Sequence, residues 1–151
     1  MTSIYSYQKV STPYTVIQAV LPDSTGANDE LHCTELCTID GITYLSVPDG
    51  VTLPEQPPEI ELTPVTLSPE LREQIKAASP HAQLISERMI QKIRAQYSLD
   101  DEMFFARIGV GAAAGMYTPT AGELADMQAF GEFVESVRQW GRAERVKLGL
   151  G

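Results

Sequence analysis

Residues 47–69, VPDGVTLPEQPPEIELTPVTLSP, hold six of the ten prolines in the 151-residue chain and no basic residue. Proline fixes φ and has no backbone N–H, so such a run bars a helix interior or a central strand. The segment over 48–68 therefore reads as an extended linker or edge-hugging arm. Its apolar residues, Ile60, Leu62, Val65 and Leu67, imply that part of it docks, either on its own domain or on a partner. The sequence on either side has different character, which predicts three parts: a small acidic β domain over 1–47, the proline-rich arm over 48–68 and a helical domain over 69–151.

Charge follows the same division. Residues 1–67 carry one base, Lys9, and nine acids, whereas residues 68–151 carry ten bases and eleven acids. An acidic front half with a single lysine cannot neutralise phosphates, and the bases behind it are interleaved with acids as on a solvated helix face. Nucleic acid is therefore not an expected partner. The opening TSIYSYQKV has neither a charged n-region nor an apolar h-region, so no secretory signal is expected. No apolar run approaches the ~18–20 residues that span a bilayer. The expectation is a soluble protein made in a cytoplasm.

The front half reads as β. YTVIQAVL (14–21) alternates and is rich in β-branched residues, which predicts a strand closed by Pro22-Asp23; ANDE (27–30) reads as a polar loop. In ELCTIDGITYLSV (35–47), Asp40-Gly41 between two alternating runs is the signature of a two-residue hairpin with a type I′ turn. Leu36 and Thr38 would share faces with their partners Thr43 and Leu45. Cys33 and Cys37, on one strand, would face the same side roughly 13 Å apart. That exceeds the ~7 Å a disulfide tolerates, so both are expected reduced and half-buried.

After residue 68 the signals are helical. Ser68-Pro69-Glu70 is an N-cap, a proline at the first position and an acid in the first turn, and Ser79-Pro80 repeats the device. Ile85, Met89, Ile93 and Tyr97 recur at spacing four, with Leu84 and Ile90 widening the stripe. Ser98 with Asp101 makes a capping box for a short helix through Phe104 and Phe105. Thr120 with Glu123 does the same for a long one over about 121–148, whose stripe is Leu124, Met127, Phe130, Val134, Val137 and Trp140. Arg142, Arg145 and Lys147 suit its C-terminus, which Gly149 and Gly151 end.

Between these last two helices lies ARIGVGAAAGMYTP (106–119). Its spacing resembles a nucleotide-binding turn, but such a turn needs a strand before it and a helix opening on it. Here a helix cap precedes and Tyr117-Thr118-Pro119 breaks the chain after. Gly109, Gly111 and Gly115 are read instead as a close-packed loop or helix end, with a flexible joint as the alternative. Catalytic patterns fail as well. His32 and Cys33 are adjacent and would face opposite sides of a strand, His81 stands alone in an exposed helix start, and Asp100, Asp101 and Glu102 are what a helix N-terminus favours. No catalytic residue, cofactor site or metal site is assigned, and the chain reads as non-enzymatic. What remains are surfaces: Phe104, Phe105, Arg138, Trp140 and Arg142 are residues of the type that carry protein interfaces, or else they complete an internal helical core.

IRAQYSLDDEMFFARIG and the closing AFGEFVESVRQWGRAERVKLGL resemble small proteins encoded in the tail modules of tailed bacteriophages and prophages. There an IRA-x-YS-x-x-DE segment is followed by a final helix of the type FVE-x-x-R-x-WGRAE, and the likeness covers residues 92–150. The resemblance implies a non-enzymatic virion component or tail-fibre-associated accessory, made in the host cytoplasm and located in the virion tail. Its partners would be other tail or fibre proteins, with a homo-oligomer, a trimer by analogy with fibres, as its state. The alternative in the same setting is a cytosolic assembly chaperone absent from the finished particle. The alternative of another class is a small-ligand-binding or enzymatic domain using the Gly109–Gly115 loop. The expected fold is α+β: a small antiparallel β head with a hairpin, the proline-rich arm, and a C-terminal antiparallel unit of three to four helices.

Overall fold

The computed structural model describes residues 1–22 and 32–151. Among them the strands are β1 (Thr2–Gln8), β2 (Val10–Ser11), β3 (Val16–Ile17), β4 (Thr34–Ile39), β5 (Ile42–Pro48) and β6 (Thr63–Val65). The helices are α1 (Pro69–Ala78), α2 (Pro80–Gln96), α3 (Leu99–Ala113) and α4 (Ala121–Lys147). The fold is α+β. A four-stranded sheet of order β4-β5-β1-β6 has β1 and β5 at its centre, and β2 and β3 form a separate two-stranded ribbon.

The hairpin forms at Asp40-Gly41, whose φ angles of 50° and 78° are both positive, as the type I′ turn requires. Ile39 pairs with Ile42 across it, and Thr38 pairs with Thr43, their hydroxyls 2.8 Å apart. One expected pairing is corrected. A β-bulge between Glu35 and Cys37 makes Glu35 the partner of Leu45, leaving Leu36 as the extra residue. The bulge lets consecutive Leu36 and Cys37 join the same buried cluster, which a regular strand would forbid. Cys33 precedes β4, so the two free cysteines do not share a strand.

The strand expected over 14–21 is also corrected, shrinking to β3 paired with β2. Ile17, Ala19 and Leu21 still point inward, packing against Tyr7, Leu45 and Ile60. The alternation reports this burial without a strand ladder. In place of a ladder, the Gln56 side-chain amide bonds both backbone groups of Val20: Val20 N–H donates to Gln56 Oε1, and Gln56 Nε2 donates to Val20 O, each at 2.9 Å. Asp23 and the 27–30 loop lie outside the described residues.

The proline-rich segment docks on its own sheet. β6 pairs with β1 at the sheet edge, with Pro64 opposite Tyr5, where a missing N–H costs no central ladder bond. Ile60 is buried with Tyr7 and Leu45, and Leu62 packs beside them. A second cluster joins Ile4, Leu36, Cys37 and Tyr44 to Ile75 of α1, Ala82 of α2 and Leu150, with Val65 and Leu67 packed against it.

The chain divides into two compact units, one of residues 1–85 with 143–151 and the other of residues 86–142. The arm over 48–68 thus lies wholly inside the first unit, and so do α1, the start of α2 and the end of α4. Ser68 caps α1 by accepting from Leu71 N–H at 3.1 Å. Ser79, fully buried, accepts from Ala82 N–H at 3.4 Å at the start of α2. Of the α2 stripe, Ile85, Met89, Ile93 and Tyr97 are buried or half-buried, while the widening residues Leu84 and Ile90 are exposed.

α3 and α4 end in the same way. Gly115 has φ 69°, its N–H donates to Ala112 O, and Met116 N–H donates to Gly111 O. Gly149 has φ 75°, its N–H donates to Val146 O, and Leu150 N–H donates to Arg145 O. Both are Schellman motifs with glycine in the left-handed position. They differ in surroundings: a Cβ on Gly115 would meet nothing within 4 Å, whereas one on Gly149 would stand 2.8 Å from Ile4 Cδ1. Gly115→Ala is therefore expected to cost about 1–2 kcal/mol, the left-handed penalty alone. Gly149→Ala should cost roughly 1–3 kcal/mol more, because the core must move. Urea unfolding followed by circular dichroism measures both, and equal losses would contradict the packing at Gly149.

Candidate functional site

The candidate site belongs to the second unit, built from residues 86–96 of α2, all of α3 and residues 121–142 of α4. Only Tyr97 and Ser98 separate α2 from α3. The capping box is complete: Ser98 Oγ accepts from Asp101 N–H at 3.0 Å and Asp101 Oδ2 accepts from Ser98 N–H at 2.8 Å. Arg94 clasps Glu102 across the same turn at 2.7 Å. The Tyr97 ring then packs edge-on to Phe130 at 5.0 Å, with Phe133 at 5.7 Å and Phe105 at 6.3 Å. Aromatic pairs at such separations add to their burial through the ring quadrupole.

Beyond Phe133 this aromatic cluster opens into a groove between α2 and α4. It is lined by Lys92, Ala95, Phe133, Ser136, Val137 and Trp140 and has a volume of about 370 Å³. The four α4 residues follow a helical face at steps of three, one and three. Ala95 leaves room on the α2 side. Trp140, the sole tryptophan of the chain, is half-buried, and Lys92 Nζ stands 4.7 Å from its ring centroid, within cation–π range. Next to Trp140 in sequence, Gly141 is buried, and Met89 occupies the space where a Cβ would stand. That glycine sets how closely the two helices approach. A second recess, in the first unit, has a volume of about 380 Å³ and is bordered by Tyr7, Glu59, Glu61 and Thr63. The tryptophan groove is the more apolar of the two, with one cation at its edge, and an apolar floor is the commoner lining of a binding site.

The residues singled out in the sequence are only partly brought together. Trp140 lines the groove. Phe105 is half-buried in the aromatic cluster, while Phe104, 6.0 Å from it, remains 48% exposed, as two consecutive helical residues must diverge. Arg138 and Arg142 are not groove residues: at 100° per residue they project about 140° and 180° round α4 from Phe133. Both are exposed, and Arg142 pairs with Glu135 at 3.1 Å. Lys92, Ala95 and Phe133 were not singled out; the Phe133-Val137-Trp140 spacing of four and three was the available signal.

Of the two forms read for the glycine-alanine run, a close-packed loop or a helix end, Gly109 and Gly111 take the second, because α3 continues to Ala113. Packing offsets the cost of glycine in a helix: at Gly109 a Cβ would touch Met127 Cε at 3.4 Å, and at Gly111 it would crowd Tyr117 Cβ at 3.1 Å. The run closes a helix, whereas a phosphate-cradling turn opens one. Burial raises the thiol pKa of both Cys33 and Cys37, which disfavours the nucleophilic thiolate. Among the described residues no group of three or more His, Cys, Asp or Glu could hold a metal ion, and no helix is long and apolar enough to cross a membrane.

Compared with protein-family models, curated proteins and solved structures, the chain matches none.

The two capping boxes give the helical unit an acid dependence. The Ser98 backbone N–H and then its hydroxyl hold Asp101 below the usual carboxyl range. The Thr120 backbone N–H and then the Tyr117 hydroxyl do so for Glu123. A depressed folded-state pKa contributes stability that is present above the unfolded value, about 4, and lost as pH falls through the folded value. The first turns of α3 and α4 are therefore expected to lose amide protection below about pH 4, and Asp101→Asn with Glu123→Gln to flatten that dependence. Hydrogen exchange from pH 6 to 3, corrected for intrinsic rates, reads it; unchanged acid dependence in the double variant would contradict the assignment.

Proposed function

We propose that this chain is a non-enzymatic bacteriophage tail protein, a virion component or tail-fibre-associated accessory, that acts by holding a neighbouring tail protein in the Trp140 groove. The supporting observation is the convergence of the residues that carry the phage-tail resemblance. From IRA-x-YS-x-x-DE, Ala95 lines the groove, Tyr97 anchors the aromatic cluster behind it, and Arg94–Glu102 and Ser98–Asp101 fix the turn. From FVE-x-x-R-x-WGRAE, Phe133 and Trp140 line the same groove, Gly141 seats Met89, and Glu135 pairs with Arg142. Ala95, Phe133 and Trp140 of the pattern thus share one recess, while its Glu135, Arg138 and Arg142 lie elsewhere on α4, and a recess lined in this way suits a contact surface more than a reaction centre.

The groove has the composition of an interface centre: a partly exposed tryptophan on an apolar floor, bordered by a lysine. A large aromatic in a preformed recess contributes binding energy at low entropic cost. Lys92 favours an entering segment with an apolar side chain beside a carboxylate.

Mass spectrometry of purified virions, with the wild-type gene and with Trp140→Ala, tests the proposal. The wild-type chain is expected at fixed stoichiometry to a tail component, and the variant, folded by circular dichroism, is expected to fall at least about tenfold in occupancy, the loss typical of a central interface residue. Absence from the particle would replace the virion reading by the assembly-chaperone reading. Unchanged occupancy of the variant would remove the groove as the contact.

A further inference from the structure

α3 is apolar on two faces, and the second unit uses only one of them. Phe105, Ile108, Gly109 and Ala112 are half-buried or buried. On another face Leu99, Met103, Ala106, Val110 and Ala113 recur at steps of four, three, four and three, and all five are exposed. Leu99 is 58%, Met103 49% and Val110 70% exposed. This alternation of four and three is the heptad seam of paired helices. A helix apolar nearly all round is ordinarily covered.

The flanking charges point to what covers it. Asp100 and Arg107 border one side of the stripe, seven residues or about 10 Å apart along the helix. Neither side chain has a hydrogen bond or ion pair with another described residue. When two copies of α3 lie antiparallel about a two-fold axis near Met103 and Ala106, Asp100 of each copy faces Arg107 of the other. The same arrangement sets Met103 against Ala106 and Leu99 against Val110, large residues opposite smaller ones. A sequence of this kind complements itself in volume and in charge.

We propose that a second copy of this chain docks on the Leu99–Ala113 face, joining two α3 helices antiparallel in an isologous dimer. The seam is about 20 Å long, and with helix axes 8–10 Å apart it covers much less than the ~800 Å² per partner of a standard interface. The dimer is accordingly weak, in the micromolar range or above. The groove at Trp140 plays no part in it, so the proposal stands independently of the tail reading.

Sedimentation velocity of the full chain from 5 to 500 µM, in low salt, provides the test. A concentration-dependent monomer–dimer equilibrium is expected. Met103→Glu should leave helix content unchanged, since the residue is exposed in the monomer, and should abolish dimerisation. Asp100→Arg and Arg107→Asp should each weaken it about tenfold, and the two together should restore it to within about threefold of wild type. A monomer throughout the range, a trimer, or a dimer indifferent to these substitutions would overturn the proposal. Failure of the double variant to recover would overturn the antiparallel pairing.

Discussion

The first unit depends on where the residues after α4 go. Gly149 takes a left-handed conformation that turns the chain, and Leu150 then enters the core with no exposed surface, beside Ile4, Leu36 and Ile75. Thr2 Oγ1 donates to Lys147 O at 3.1 Å alongside. One face of the central strands β1 and β5 is thereby completed by residues more than 100 positions away in sequence. Burial of a leucine side chain is worth about 1.5–3 kcal/mol, a large share of a marginal stability. The opposite face is completed by the proline-rich arm through Ile60 and Leu62. A sheet of four strands is too small to hide both of its faces, and the two coverings resolve that constraint.

This closure explains why the division into units departs from the composition boundaries. Proline content and charge change near residue 48 and again near 68, but an abrupt change of composition is not a change of packing partner. The arm has the proline needed at a sheet edge and the isoleucine needed beneath it, and both are spent on its own sheet. α4 begins in the second unit and finishes in the first. No local signal announces this, because Leu148 and Leu150 look like the frayed end of a helix until their burial is known.

Legibility followed the range of the interaction. The type I′ turn at Asp40-Gly41 and the caps at Ser68, Ser98 and Thr120 were readable because a few adjacent residues decide each of them. Leu36 and Val20 were not, since a bulge and a side-chain amide from 36 residues away determine their partners. At Gly109 and Gly111 the sequence left loop and helix end open for the same reason: isolated propensity disfavours helix there, and contact with Met127 and Tyr117 overrides it. Of the surface residues, Trp140 was found by type. Its setting required knowing that Lys92 and Phe133 share a groove with it, whereas Arg138 and Arg142 project elsewhere on α4.

The measurement that bears most directly on this account is amide hydrogen exchange of the intact chain compared with Leu150→Ala. If Leu150 closes the core of the sheet, amides of β1, β4 and β5 lose protection together, by a factor of roughly 100 or more for a loss near 3 kcal/mol, whereas those in the middle of α3 keep theirs. Undiminished protection in β1 and β5, or an equal loss in α3, would contradict it.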